Sequence, residues 1–245
     1  MSDGREDLRG DTLVPAFLFD LDGTLVDSVY QHVLAWREAL EQAGMQLAVW
    51  RIHRRIGMSG GLLVNALLRE TGRAITAEDA EHLQRLHAAA YARQIETVRL
   101  LPGAKELLTH LSKADVRYAI ATSGRRESAA PVLNLLGVPS DVPVITRDQV
   151  RYAKPDPHLF LAAARRLGVT LDNSIVVGDS VWDLLAARRA RALGIGLLSG
   201  GYGQDELERA GAYRVYQDPF DLLNHLDEVG VRILPERTAG DNVRR

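Results

Sequence analysis

Along most of the chain, short β-rich runs alternate with helical periodicities, and this rhythm breaks only once. The apolar runs are Val14–Phe19, Arg117–Ala121, Val142–Ile145, Ser174–Val177, Gly194–Leu198 and Tyr213–Tyr216. Between most of them lie helical patterns at Ala104–Ser112, Ser128–Leu136, Pro157–Leu167, Val181–Ala192 and Gln204–Ala210. Strands of near-continuous apolar content need cover on both faces, and intervening helices supply it. The expected fold class is therefore α/β, with a parallel sheet between helical layers.

The break is the block from Val29 to Val98, about 70 residues that read as helix only. Val33, Trp36, Leu40 and Ala43 recur at helical spacing, and Gly44 stands where such a helix would end. Thr76 and Asp79 form a capping-box pattern that opens a helix running to about Gln94. Gly57, Gly60 and Gly61 interrupt the middle of the block, Gly72 suits another helix end, and Pro102-Gly103 marks the return to the α/β part. The expected division is 1–28 and 99–245 for the core, with about a dozen disordered residues at each end, and 29–98 for an all-helical insert.

Composition narrows the function. Thirty Lys and Arg against thirty-two Asp and Glu give a net charge of −2, without the basic excess of a nucleic-acid or membrane-surface binder. The absence of cysteine removes disulfides, thiolate metal ligands and a cysteine nucleophile. Only Lys105, Lys113 and Lys154 are available for lysine chemistry. The hydrophilic Met1–Asp7 start lacks a signal-peptide core, and no apolar run approaches the roughly 18 residues of a spanning helix. A cytoplasmic protein that is monomeric or a weak homodimer is expected, with no nucleic-acid or membrane partner.

The first strand runs into Asp20-Leu21-Asp22-Gly23-Thr24. From average residue usage, that pattern has a chance frequency on the order of 10⁻⁵ per position. It stands at the carboxyl end of an apolar strand, where open α/β sheets bind ligands. Two carboxylates two residues apart on extended backbone project to one side. Like charges this close need a cation or a shared proton, and Gly23 allows a tight departure of the chain. Three later segments carry candidate groups, the first and third at strand ends and the second ahead of a helix. Thr122-Ser123-Gly124 offers a hydroxyl and turn N–H groups that can cradle a phosphoryl group, although such a turn can also simply end a strand. In Lys154-Pro155-Asp156-Pro157, helix capping accounts for Asp156 and Pro157 but leaves Lys154 without a structural task. In Gly178-Asp179-Ser180-Val181-Trp182-Asp183, the two aspartates lie one helical turn apart; a helix cap at Asp179 with a solvated Asp183 is the alternative.

In these motifs and their order, from about Val14 to Val229, the chain resembles the haloacid dehalogenase (HAD)-like hydrolase superfamily. The resemblance is to its helical-cap group, which includes phosphoglycolate phosphatase-like enzymes and β-phosphoglucomutases. It implies a three-layer Rossmann-like parallel-sheet core with an inserted all-helical cap. It also implies a Mg²⁺-dependent phosphatase acting on a small phosphorylated metabolite. In that scheme Asp20 attacks phosphorus to form an aspartyl-phosphate, and Asp22 gives and later takes the proton. Thr122, Ser123, Gly124 and Lys154 hold the phosphoryl oxygens. Asp20, the Asp22 carbonyl and Asp179 bind the metal, and Asp183 orients Lys154 or a metal-bound water. The second aspartate sets the chain apart from the superfamily's dehalogenases.

Substrate choice falls to the cap, whose loop Arg54–Gly61 is the candidate to reach the site. His32, Arg55 and Gly60 are the expected substrate contacts. β-phosphoglucomutases carry an arginine for a second phosphate where Gly60 stands here, which favours hydrolysis, unless Arg54 or Arg55 substitutes. A phosphomutase, or a non-catalytic binding protein on the same fold, remains the alternative.

Overall fold

The computed structural model describes residues 14–72 and 76–231. The expected disordered ends, including the polar Pro235–Arg245 stretch, fall largely outside these residues.

The chain opens with β1 (Ala16–Phe19), followed by a short β2 (Val26–Asp27). The helical block comprises α1 (Val29–Gln42), α2 (Val49–His53), α3 (Gly60–Thr71) and α4 (Ala77–Ala92). It returns through β3 (Arg99–Leu100). The rest alternates: α5 (Ala104–Lys113), β4 (Tyr118–Ala121), α6 (Arg126–Leu136), β5 (Val144–Ile145), α7 (His158–Leu167), β6 (Ser174–Gly178), α8 (Val181–Ala190), β7 (Leu193–Leu197), α9 (Gln204–Ala210), β8 (Ala212–Tyr216) and α10 (Pro219–Asn224).

Six strands form one parallel sheet in the order β5-β4-β1-β6-β7-β8. β1 is central and wholly buried, and its side chains divide by the period-two rule. Phe17 and Phe19 join Ile120, Val177 and Leu107 beneath α5, α6 and α10. Leu18 joins Ala119, Val176 and Phe160 beneath α7 and α8 on the other face. Covering both faces is what makes a continuous apolar run such as Ala-Phe-Leu-Phe a stable strand. From β1 the chain lays β4 and β5 on one side and β6 to β8 on the other. The crevice beside the carboxyl end of β1 is therefore a topological switch point.

The helical block has its own apolar core, with Val33, Trp36 and Leu40 of α1 meeting Ile52, Leu63, Leu67 and Leu83. The capping box is present: Asp79 N–H donates to Thr76 Oγ1 (3.2 Å), and Thr76 N–H to the Asp79 carboxylate (3.0 Å). Gly44 and Gly72 both have positive φ just past helix ends. Both crossings between block and sheet pass through one antiparallel pair, Val26 opposite Leu100 and Asp27 opposite Arg99. Strands of two residues carry no readable period, so this pair was invisible in the sequence.

Two local expectations need correction, and one helix is additional to them. Gly60 and Gly61 begin α3 rather than lying in a loop, which leaves Arg54–Ser59 as the connecting turn. Helix α7 starts at His158 with Pro157 as its N-cap; Asp156 instead accepts the His158 N–H at 3.3 Å. Helix α10, too short for a periodic signal, was not anticipated; Asp218 caps it by accepting from Asp221 N–H (3.0 Å), and Pro219 opens it.

Candidate active site

Sheet register gathers the motif residues. Phe19 lies opposite Ile120 on one side and Val177 on the other, so Asp20, Thr122 and Asp179 emerge together at the carboxyl edge. Asp20 N–H donates to the Val177 carbonyl (2.9 Å), and Thr122 N–H to that of Ile145 (2.9 Å). Lys154 comes from the segment before α7 and is fully buried. Its Nζ forms ion pairs with Asp20 and with Asp183 Oδ1, the latter at 2.8 Å.

Asp20, Asp179 and Asp183 each offer a carboxylate oxygen within 4.8 Å of the others, and all three are buried. Asp183 Oδ2 also accepts from Ser180 N–H (3.2 Å) and Ser180 Oγ (2.5 Å), closing a capping box at the start of α8. Asp179 has the Thr24 hydroxyl at 2.9 Å. Gly23, at φ +83°, is held close beneath: a Cβ there would stand 2.5 Å from the Asp179 carboxylate.

Three buried carboxylates facing one ammonium leave an excess of negative charge. Burial pushes the Asp20 carboxyl up to about 7, against the pull of Lys154, and the charges of Asp183 and Asp22 add to the rise. Burial, then Asp183 and Asp20, raise Asp179 well above the usual carboxylate range. Burial would lower the Lys154 pKa, but the charges of Asp183 and Asp20 prevail and raise it. A buried, oxygen-only donor set with surplus negative charge suits a hard divalent cation such as Mg²⁺.

The Asp22 side chain turns the other way, into the cavity. It accepts from Ser28 Oγ (2.6 Å), has His32 Nε2 at 3.3 Å, and meets the Thr122 hydroxyl at 3.4 Å. Burial would raise its pKa, but His32 and Ser28 hold it below the ordinary value. Thr122 Oγ1 in turn accepts the Gly124 N–H at 2.9 Å. The two aspartates of the first motif thus face different surroundings, a prerequisite for different roles.

Above them lies a cavity of about 410 Å³ between core and helical block. Asp20, Asp22, Thr122, Ser123 and Gly124 line it from below; His32, Trp36, Gly60, Gln84 and His87 line it from above. His32 lies flat on Tyr91, with ring centroids 3.9 Å apart, and its Nδ1 is 3.1 Å from His87 Nε2. Burial and the neighbouring His32 keep the His87 pKa well below 6.5. Two ties close the seam beside the cavity: Ser123 Oγ donates to the Gly57 carbonyl (3.1 Å), and Ser59 N–H to that of Lys154 (3.1 Å).

Arg55 is not brought to the cavity. Its guanidinium holds Glu70 (2.8 Å), which Arg51 also contacts (3.1 Å), and Arg54 is bound to Glu206. Neither arginine therefore faces the space beside Gly60, where an added Cβ would meet nothing nearer than Gln84 at 3.7 Å. Thr24, Ser28, Gln84, His87 and Tyr91 are site neighbours that sequence reasoning missed. Ser28 and His32 sit four residues apart at the start of α1, a spacing that could have revealed their shared partner.

A model of the haloacid dehalogenase-like hydrolases matches residues 14–191. Hexitol phosphatase A of Escherichia coli is 32% identical over 176 residues, covering 71% of this chain and 78% of that protein. The phosphoglycolate phosphatase of Caulobacter vibrioides is 31% identical over 219 residues, covering 88% and 90%. Among solved structures, a hydrolase from Pseudomonas syringae is 56% identical with a TM-score of 0.86, covering 88% of this chain and 99% of that one.

Proposed function

The chain belongs to the haloacid dehalogenase-like hydrolases and is a phosphatase; we propose that it hydrolyses a small phosphorylated metabolite with Mg²⁺, through an aspartyl-phosphate on Asp20. The observation that carries this reading is the division of labour at the end of β1. Asp20 sits with Lys154 and the carboxylate cluster, while Asp22 is held apart by Ser28 and His32 at the cavity wall.

Asp20, Asp179 and Asp183 supply the carboxylates nearest the proposed cation, with Asp20 and Asp179 as ligands and Asp183 anchoring Lys154. When bound, Mg²⁺ offsets the charge of the nucleophile and of the phosphoryl oxygens. An Asp20 oxygen attacks phosphorus in line as the bond to the leaving oxygen breaks. The protonated form of Asp22, a minor species while His32 and Ser28 hold its carboxyl low, gives a proton to that oxygen; the carboxylate then takes one from the water that attacks the phosphoryl group and frees Asp20. Lys154 and the Thr122–Gly124 turn hold the phosphoryl oxygens, and the helical block excludes bulk water.

The names of the relatives support hexitol phosphates and phosphoglycolate as the first substrates to test. Arg54 and Arg55 are engaged elsewhere, which supports hydrolysis over mutase action; Arg125 and Arg147, on the core side, are the arginines that line the cavity. The test is a screen of phosphorylated metabolites with and without Mg²⁺. Phosphate release that requires Mg²⁺ and is lost in Asp20→Asn supports the reading. Metal-independent release, or full activity in that variant, contradicts it.

A further inference from the structure

Away from the cavity, the end of α2 meets the segment that follows β7. His53 is buried, with Nε2 2.8 Å from the Gly200 carbonyl oxygen. A carbonyl only accepts, so the ring carries a proton on Nε2. The ring lies parallel to Tyr30 (centroids 5.4 Å apart) and tilted against Tyr202 (5.7 Å). Arg54, next in the chain, grips both carboxylate oxygens of Glu206 and lies 4.3 Å over the Tyr202 ring. Tyr202 Oη donates to the Arg54 carbonyl (3.0 Å), and Glu206 accepts the Gly203 N–H (3.0 Å). None of these groups takes part in the hydrolytic steps above.

The same segment forms one wall of the carboxylate cluster. Gly200 packs so tightly on Asp179 that any side chain there would overlap its carboxylate. Ser199 Oγ donates to the Gly23 carbonyl at 2.6 Å. On the opposite side, a Cβ at Gly201 would stand 2.9 Å from Tyr30 Oη and 3.0 Å from His53 Nε2. Residues 199–201 therefore have the helical block against one side and Asp179 against the other, with no slack for either to shift alone.

We propose that His53 is a positioning residue for Asp179. By holding the Gly200 carbonyl it fixes the segment packed on that carboxylate, so docking of the helical block and binding of a divalent cation reinforce one another. The inference rests on the proposed Mg²⁺ site. By linkage, whatever factor docking adds to cation affinity, the cation returns to docking.

Calorimetric titration with MgCl₂ tests this in the full chain, comparing wild type with His53→Phe and His53→Gln. Phenylalanine keeps a ring between Tyr30 and Tyr202 but donates nothing; glutamine restores an N–H. His53→Phe should bind Mg²⁺ about tenfold more weakly, with His53→Gln recovering most of the loss. Glu206→Gln, which loosens the Arg54 grip from the core side, should weaken binding to a smaller degree, and it serves where His53→Phe does not fold. Wild-type affinity in both His53→Phe and Glu206→Gln overturns the inference. So does a loss that tracks the thermal midpoint and that glutamine fails to rescue. A wild type that binds no Mg²⁺ overturns the proposed function itself, a separate and recognisable failure.

Discussion

The two walls of the cavity are built on different principles. The lower wall hangs on strand ends: hydrogen-bond register fixes Asp20, Thr122 and Asp179 to one edge, and Lys154 is locked between two buried carboxylates. The upper wall is made of helix faces, where His32, Trp36, Gln84 and His87 reach the cavity through packing and ring stacking. Register allows almost no variation, whereas a helix face can exchange one side chain for another without moving the backbone. The lower wall therefore suits chemistry common to all substrates and the upper wall suits discrimination among them.

The sharpest test of this contrast is to damage the lower wall. Asp20→Asn should reduce kcat by at least about 10⁴-fold for every substrate, aryl or alkyl, because the amide is a poor nucleophile. Removing one of several buried like charges should leave the thermal midpoint unchanged or raised. Asp22→Asn should cost about 10² to 10⁴-fold with alkyl phosphates and less with aryl phosphates, whose leaving oxygens need little protonation. Equal losses for both classes would remove Asp22 from the proton-transfer role.

Electrostatics adds a pH signature. The folded Asp20 pKa, about 7, stands above its ordinary 3.8, and Asp179 is raised as well. Folded protein thus holds more protons than unfolded chain across that interval, and the metal-free protein should lose stability as pH rises from about 4 to 7. The depressed pKa of Asp22 acts in the opposite sense below 3.8, outside that window, and the depressed pKa of His87 acts in the opposite sense inside it, below 6.5, so the carboxylate contribution is read as wild type relative to Asp20→Asn. Mg²⁺ should flatten the decline, which thermal unfolding at stepped pH, with EDTA or with MgCl₂, would reveal. Metal-free wild type that does not lose stability relative to Asp20→Asn over the same range would contradict the burial of this charge.

The sequence disclosed the two walls unequally for the same reason. Strand-end residues come in contiguous strings, so Asp20-Leu21-Asp22-Gly23-Thr24 and Gly178-Asp179 could be recognised before any packing was known. Lys154 stood out because capping explained its neighbours and not itself. The upper wall is assembled from residues far apart in the chain: His87 meets His32 across 55 positions, and Gln84 reaches Arg125 across 41. Nothing local in α4 marks these residues, and Arg55, in the connecting turn, is claimed by Glu70, a partner 15 residues away. The two-residue pairing of β2 with β3 lies below any periodic signal for a similar reason.

Smaller effects belong to the upper wall. Gly60→Arg has room to be accommodated and should reorder natural substrates, favouring those with a second anionic group, while changing a small aryl ester little. A uniform loss across substrates would show that the position serves closure or folding instead. Arg55→Ala should leave KM values unchanged and cost no more than about 1 kcal/mol in stability, since its partly exposed pair with Glu70 is structural. A KM change confined to one substrate class would return Arg55 to the binding site.

The central claim is that Asp20 carries the phosphoryl group between two in-line displacements, the second by water. Hydrolysis, in isotopically labelled water, of a phosphorothioate substrate whose two non-bridging oxygens are different isotopes tests it directly, because the released thiophosphate is then chiral and each displacement inverts the configuration at phosphorus. Thiophosphate released with net retention is the predicted result. Net inversion would mean that water attacks the substrate in a single step, and would contradict the account.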